Sequence, residues 1–301
     1  MENNLNNEKL ITDGIITKGI GGFYYVKTEF GTFESRARGV FREEKLTPIV
    51  GDKVQIRVSN EDETGYILKI YDRSSELLRP SVSNVTKSII VMSVKNPEIN
   101  LWLLDKFTLM SEYEGLETII CINKVDLDPL KSEEIANIYK HAGYKVIMSS
   151  SKDDIGIDLL KEELNNNITV LSGPSGAGKS SLLNKLYPRF DLEVGEVSNK
   201  TKRGKHTTRH VELLEVDKDS YVLDTPGFSS LRLDFIEDES EVRKYFKEID
   251  KYGEECKFLS CLHDKEPGCN VKENVLKGNI EKTRYENYIS IMEEVKKSRR
   301  Y

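Results

Sequence analysis

The sequence predicts an α/β protein with a small all-β barrel ahead of it and a helical, cysteine-bearing segment behind it. Three observations carry this prediction. Residues 11–72 read as short strands punctuated by glycine, with no helical stretch between them. Residues 81–232 alternate nearly continuous apolar runs with amphipathic stretches, the pattern of a parallel sheet buried on both faces. Residues 233–301 are charged and place apolar side chains near helical spacing. A chain of 301 residues that is 38% apolar and 32% charged supports packed cores and excludes a wholly disordered polymer. Its formal net charge of −6 excludes a general polycation, so any nucleic-acid contact must come from a local basic patch.

In the first zone Gly21-Gly22 precedes Phe23-Tyr24-Tyr25-Val26, and Gly31 precedes Thr32-Phe33-Glu34-Ser35. Val54, Ile56 and Val58 alternate with polar residues, and Gly65 opens a fifth stretch, 66–70. About five strands in so short a span suggest an OB-fold; an SH3-like barrel or a small sandwich has the same composition. A polar linker is expected at 71–80. The second zone offers strands at 88–94, 118–122, 145–149, 168–171 and 220–223. Its helices are expected at 101–114 behind an Asn100 cap, at 132–141 and at 157–164, in a doubly wound arrangement. In the third zone 279–295 carries Ile280, Tyr285, Tyr288, Ile289, Met292 and Val295 as a packing stripe. The expected domains are 1–74, 75–232 and 233–301. Residues 1–10 lack the apolar core of a signal peptide, and no run approaches the ~18 apolar residues of a spanning helix. A cytoplasmic protein without membrane contact is expected, with its four cysteines as metal ligands or free thiols.

Gly173, Pro174, Ser175, Gly176, Ala177, Gly178, Lys179 and Ser180 fit G-x-x-x-x-G-K-[ST] between a strand and a helix start. The glycines let backbone N–H groups face phosphates, helped by the helix N-terminus. Lys179 is expected to reach the β- and γ-phosphates, and the Ser180 hydroxyl to bind Mg²⁺. Asp224-Thr225-Pro226-Gly227 follows an apolar strand. Asp224 is placed to hold Mg²⁺ through water, and the Gly227 N–H to meet the γ-phosphate. Asn123-Lys124-Val125-Asp126 also follows a strand. A carboxylate at Asp126 can accept from the N1–H and 2-amino groups of guanine, donors that adenine lacks. Asn123 can pin the loop and contact N7, and the Lys124 stem can lie over the ring. Ser150, Ser151 and Lys152 fall where a second guanine-contacting loop belongs, and read equally as a serine-rich turn. The guanine motif precedes the phosphate loop, the reverse of the usual order. The domain is therefore expected to be a circularly permuted P-loop GTPase domain.

Residues 197–211 contain Lys200, Lys202, Arg203, Lys205, Arg209, His206 and His210 and no acidic residue. Their place between two nucleotide motifs suggests a switch loop in which Thr207 or Thr208 completes the Mg²⁺ shell. RNA phosphates are a second possible contact, and a solvated basic loop is the plain alternative. Cys256-x₄-Cys261-x-His263-x₅-Cys269 groups thiolate and imidazole ligands at the spacing of a closed, structural zinc site. Cys121 is expected in the core, and His141 at a helix end.

The order N-K-V-D, G-P-S-G-A-G-K-S-S-L-L-N, R-G-K-H-T-T-R-H, D-T-P-G-F and C-x₄-C-x-H-x₅-C resembles the ribosome small-subunit-dependent GTPase A family over essentially the whole chain. Members are bacterial, circularly permuted GTPases with an N-terminal OB-fold and a C-terminal zinc domain. The resemblance implies binding to the small ribosomal subunit and its rRNA late in maturation. It also implies hydrolysis of GTP to GDP and phosphate accelerated by that subunit, with Mg²⁺ at the nucleotide, one structural Zn²⁺ per chain, and a monomer. Ser181 joins the nucleotide-contacting set by the same match. Ser151 departs from the alanine usual in GTPases at large. Phe228 occupies the position of the glutamine that orients water in Ras-like enzymes. His206 matches the family's proposed catalytic histidine and acts with Lys179 and Thr208 in this reading. In the alternative, His206 contacts RNA and the ribosome supplies the missing group. Two further readings stay open: an RNA-binding module that uses the nucleotide only as a switch, and an ATP-dependent P-loop protein.

Overall fold

The computed structural model describes residues 10–39, 41, 46–59, 64–78, 80–190, 211–224 and 232–298. They form two units. The first draws on residues before 87 together with 164–169 and the stretch ending at 225; the second holds the remainder.

In the first unit β1 (Ile11–Ile20), β2 (Phe23–Thr28), β3 (Gly31–Ala37), β4 (Lys53–Val58) and β5 (Gly65–Ile70) close a barrel. β1 pairs antiparallel with both β2 and β4, β3 pairs parallel with β5, and β4 closes on β5. A bulge between Ile16 and Lys18 bends β1 so that it serves two neighbours. This closure is that of the OB-fold and excludes a sandwich. Ile16, Val26, Val54, Ile56 and Ile67 fill the interior.

The segment read as a polar linker is more structured than expected. β6 (Glu76–Leu78) pairs with β7 (Ser81–Ser83), burying Leu77 and Val82. Arg73 grips the buried Asp52 with two bonds, Nε to Oδ1 at 2.7 Å and Nη2 to Oδ2 at 2.8 Å. That charge-assisted pair holds a polar stretch that hydropathy alone reads as loop.

In the second unit β8 (Lys87–Ser93), β9 (Glu117–Asn123) and β10 (Lys145–Ser149) run parallel in the order β10-β9-β8, with β11 (Ile168–Ser172) beside β8. The register ends with Ser93 beside Asn123 and Asn123 beside Ser149, so the loops after these three strands leave from the same end of the sheet. α1 (Leu101–Tyr113) starts at Asn100, whose side chain accepts from the Leu103 N–H. α2 (Pro129–His141) starts three residues earlier than expected, because Asp128 caps it and Pro129 fits the first turn. α3 (Ile157–Leu164) matches expectation, and α4 (Lys179–Leu186) leaves the phosphate loop.

β12 (Glu212–Asp217) and β13 (Ser220–Asp224) form an antiparallel hairpin in the first unit. β12 was not expected: only Leu213 and Val216 of it are deeply buried, too few for an apolar run. It meets β1 at Lys18↔Glu212, where Lys18 and Glu212 pair at 2.9 Å.

In the second unit, too, α5 (Lys247–Gly253), α6 (Asn270–Leu276) and α7 (Lys282–Ser298) pack the C-terminal residues. α7 begins three residues later than expected, because the N–H groups of Asn279 and Ile280 turn back to the Asn274 carbonyl. Tyr288, Ile291 and Val295 join Leu104, Ile120 and Phe246 in one apolar cluster. Inside it Arg284 donates from Nε and Nη2 to Glu248 at 2.6 and 3.0 Å, and from Nη1 to Asp105 at 2.6 Å. Tyr139 and Asn287 also donate to Asp105, at 2.6 and 2.7 Å. His141 ends α2 as expected, with Nδ1 3.0 Å from Glu281.

Candidate nucleotide site and metal centre

The phosphate loop leaves β11 and enters α4 through left-handed glycines. Gly173 has φ +125°, and a Cβ there would strike the Val91 carbonyl of β8; Gly178 has φ +99°, and a Cβ there would strike the Asn123 amide. These positions admit only glycine, and their tightness seats the loop against two strands at once. Lys179 Nζ donates to the carbonyls of Gly173 and Pro174 at 2.7 and 2.8 Å, so its ammonium spans the loop. Burial brings its pKa down to about 8. Ser175 and Gly176 are exposed at the tip, Pro174 and Ser181 are half-buried, and Ala177 and Ser180 are buried.

The loop of Asn123 to Asp126 is tied directly to this cradle. Asn123, buried at the end of β9, donates through Nδ2 to the Ala177 carbonyl at 2.9 Å. Lys124 sits at φ +61° and donates to the Gly176 carbonyl at 2.8 Å and to the Asn96 carbonyl. Asp126 accepts from Ser150 Oγ at 2.8 Å, which aims its carboxylate. Ser150 is thus tied to the Asn123–Asp126 loop by a hydrogen bond, while Ser151 is half-buried and Lys152 exposed.

Two partners were not foreseen. Ser149 donates to Asn123 Oδ1 at 3.2 Å and lies 3.1 Å from Cys121 Sγ, fixing which way the Asn123 amide faces. Burial pushes the Cys121 thiol up to about 12, consistent with a packing role. Asn96 supplies the second carbonyl for Lys124; the Asn-Pro dipeptide after β8 was the available turn signal. Asp224 closes β13. His206, Thr207, Thr208, Gly227 and Phe228 lie outside the described residues.

The metal-ligand pattern also converges. The ligand atoms of Cys256, Cys261, His263 and Cys269 all lie within 4.8 Å of one another. Cys256 Sγ and Cys269 Sγ stand 3.8 Å apart, and His263 Nδ1 is 3.5 and 3.4 Å from them. Tetrahedral Zn²⁺, with bonds of about 2.3 Å to sulfur and about 2.0 Å to nitrogen, requires edges of about 3.8 and about 3.5 Å. The residues therefore fit that ion, and all the cysteines are free thiols. Burial first, then Arg243, lowers His263 to about 4, so the ring is neutral and its lone pair available; burial pushes Cys261 up to about 12, so binding must expel its proton. Glu266 accepts from the N–H groups of Leu262 and Asp264 at 2.9 and 3.0 Å, and Tyr285 and Tyr288 donate to the carbonyls of His263 and Leu262 at 2.7 and 2.9 Å. Gly253 leaves room for the imidazole: a Cβ there would stand 3.1 Å from Nε2.

A family model described as RsgA GTPase matches residues 70–234, and one described as the RsgA N-terminal domain matches 13–67. The chain belongs to the RsgA GTPase family. A curated relative from Alkaliphilus metalliredigens (strain QYMF), a small ribosomal subunit biogenesis GTPase RsgA, is 45% identical over 97% of this chain and 100% of its own. A relative of the same name from Clostridium perfringens (strain 13 / Type A) is 50% identical over 94% of this chain and 98% of its own. The crystal structure of YjeQ from Thermotoga maritima matches with TM-score 0.81 at 36% identity, covering 95% of this chain and 99% of that one. The crystal structure of YloQ, described as a circularly permuted GTPase, matches with TM-score 0.78 at 35% identity over 99% of both chains. The permuted motif order of this chain agrees with that description. No helix among the described residues is long and apolar enough to cross a membrane.

Proposed function

We propose that this chain is a Mg²⁺-dependent GTPase that binds the small ribosomal subunit through its rRNA and acts late in that subunit's assembly. The observation that carries the reading is the join between guanine loop and phosphate loop, the bonds from Asn123 to Ala177 and from Lys124 to Gly176. A guanine held by Asp126 is then set at a fixed distance from phosphates held by 173–181. In this reading Ser180, Asp224 and Thr208 would hold Mg²⁺, which would supply charge screening for the phosphates, and Thr207 and Gly227 would meet the γ-phosphate. Lys179 steadies the transferring group. His206 orients the attacking water, since Phe228 cannot. Residues 1–74 form the RNA-binding barrel, 75–232 the GTPase domain and 233–301 the zinc-bearing segment. The protein works as a cytoplasmic monomer.

Phosphate release with GTP alone, with small subunits, with large subunits and with naked RNA tests the proposal. Multiple-turnover release stimulated by small subunits alone is expected. Release of a single phosphate per chain would make the protein a nucleotide-switched RNA binder. Replacing His206 by Ala should reduce stimulated turnover by about 10²-fold or more while subunit affinity holds. Normal stimulated turnover would remove His206 from the mechanism.

A further inference from the structure

The turn that follows β8, residues 95–98, takes no part in the sequence motifs, yet it touches both halves of the nucleotide site. Its Asn96 carbonyl accepts from Lys124 Nζ. The Pro97 ring lies against the exposed tip of the phosphate loop, where a Cβ on Gly176 would stand 3.3 Å from Pro97 Cδ. The turn is anchored from below, with Ser93 Oγ donating to the Pro97 carbonyl at 2.8 Å and the Val94 N–H to the Asn123 carbonyl at 3.0 Å.

Two ion pairs brace it from the other side. Lys95 Nζ is 2.9 Å from Asp128 Oδ2, and Lys131 Nζ pairs with Glu98. Asp128 and Lys131 stand just after the guanine motif, at the cap and in the first turn of α2. The acid and the base alternate across the gap, so the turn cannot slide along α2 without setting like charges together. Asp128 is held below the ordinary carboxylate range, first by Lys95 and then by the Lys131 backbone N–H.

We infer that Lys95 and Glu98 are positioning residues for guanine-nucleotide binding: through crossed ion pairs to Asp128 and Lys131 they hold the Asn96 carbonyl where it fixes Lys124 against the phosphate loop. Lys124 thereby keeps its stem extended over the place of the guanine ring before any nucleotide arrives. The inference rests on the GTPase reading and names a determinant of affinity within it. Preorganisation of this kind acts on nucleotide retention, because the ordering is completed in the free protein.

The test is the affinity and release rate of fluorescent GDP and GTP in the full chain. Lys95→Ala/Glu98→Ala should raise both dissociation constants about three- to tenfold, mostly through faster release, as expected for two partly exposed pairs. KM should rise while single-turnover hydrolysis at saturating GTP stays within about twofold. Salt at about 1 M should bring the unaltered chain toward the variant, since exposed pairs are screened. Glu98→Lys combined with Lys131→Glu should restore tight binding that Glu98→Lys alone loses. Equal affinities for variant and parent at low salt, or a charge exchange that fails to restore binding while the melting temperature is unchanged, would overturn the inference and leave the GTPase reading standing. A parent chain that binds no guanine nucleotide would overturn both.

Discussion

Arg284→Met is the most demanding perturbation the fold offers. The guanidinium is 1% exposed and bonds two carboxylates, Asp105 and Glu248, that are 0% and 6% exposed. Methionine keeps most of the volume, so the cavity contribution is small and the loss is electrostatic. Asp105 retains Tyr139 and Asn287 as donors, while Glu248 loses both of its bonds to Arg284. Breaking a buried pair from one side destabilises by about 3–5 kcal/mol, a large part of the 5–15 kcal/mol that holds a typical domain together. Burial raises the Asp105 carboxyl, with Arg284 opposing, so removal of the arginine leaves the upward push in control. A group whose folded pKa is raised contributes stability that is present at low pH and lost as pH climbs through that value. The variant should therefore lose more at about pH 8 than at about pH 5, and urea denaturation of the full chain at both values measures the difference. Adding Glu248→Met should return part of the loss by removing the stranded carboxylate. A loss below about 1 kcal/mol at either pH, or no return in the double variant, would refute the assignment of this cluster as a charge-paired anchor.

The other predictions concern the sites. Lys179 has its pKa lowered to about 8 and bound phosphate favours its charged form, so GTP affinity should fall from about pH 7 to about pH 9 and binding should take up a proton in that range; calorimetry in buffers of different ionisation enthalpy reads this, and a flat profile would exclude it. Asp126→Asn should weaken GTP by about 10²-fold or more and favour XTP, whose 2-oxo group accepts from the new amide; competition binding decides, and unchanged preference removes Asp126 from base reading. Cys261→Ser should lose one zinc per chain by metal analysis. Because Cys261 and Cys269 share an apolar cluster with Tyr288 and Leu104, it should also lower the melting temperature in a single transition; a separately melting C-terminal segment would contradict that packing.

The sequence was most legible where chemistry demands local backbone. A phosphate cradle needs glycines at fixed spacing and a lysine that follows them, so 173–180 announces itself without any knowledge of the fold. The same holds for Asn123 to Asp126 and for the ligand run from Cys256 to Cys269, where short loops confine the donors. The apolar runs of β8 and β9 were equally plain, because residues 89–92 and 119–122 are buried on both faces and are apolar throughout. What stayed hidden depends on partners far away in the chain. β12 looks polar because its outer residues are answered by Lys18 and Lys27 of the barrel, 2.9 and 3.0 Å from Glu212 and Glu215. The 71–80 segment looks like a linker because Arg73 and Asp52 neutralise each other across the fold. Arg284 looks like one more charge on an amphipathic helix, and only the meeting of α1, α5 and α7 makes it the centre of a core. In each case a charge that reads as solvent-facing is buried or half-buried against an opposite charge, and periodicity assigns polar residues outward. The turn at 95–98 follows the same rule on a smaller scale: its ion pairs look like surface decoration until Asn96 and Lys124 are seen to share a bond. Local motifs are therefore legible in this chain from sequence alone, and long-range charge pairing is not.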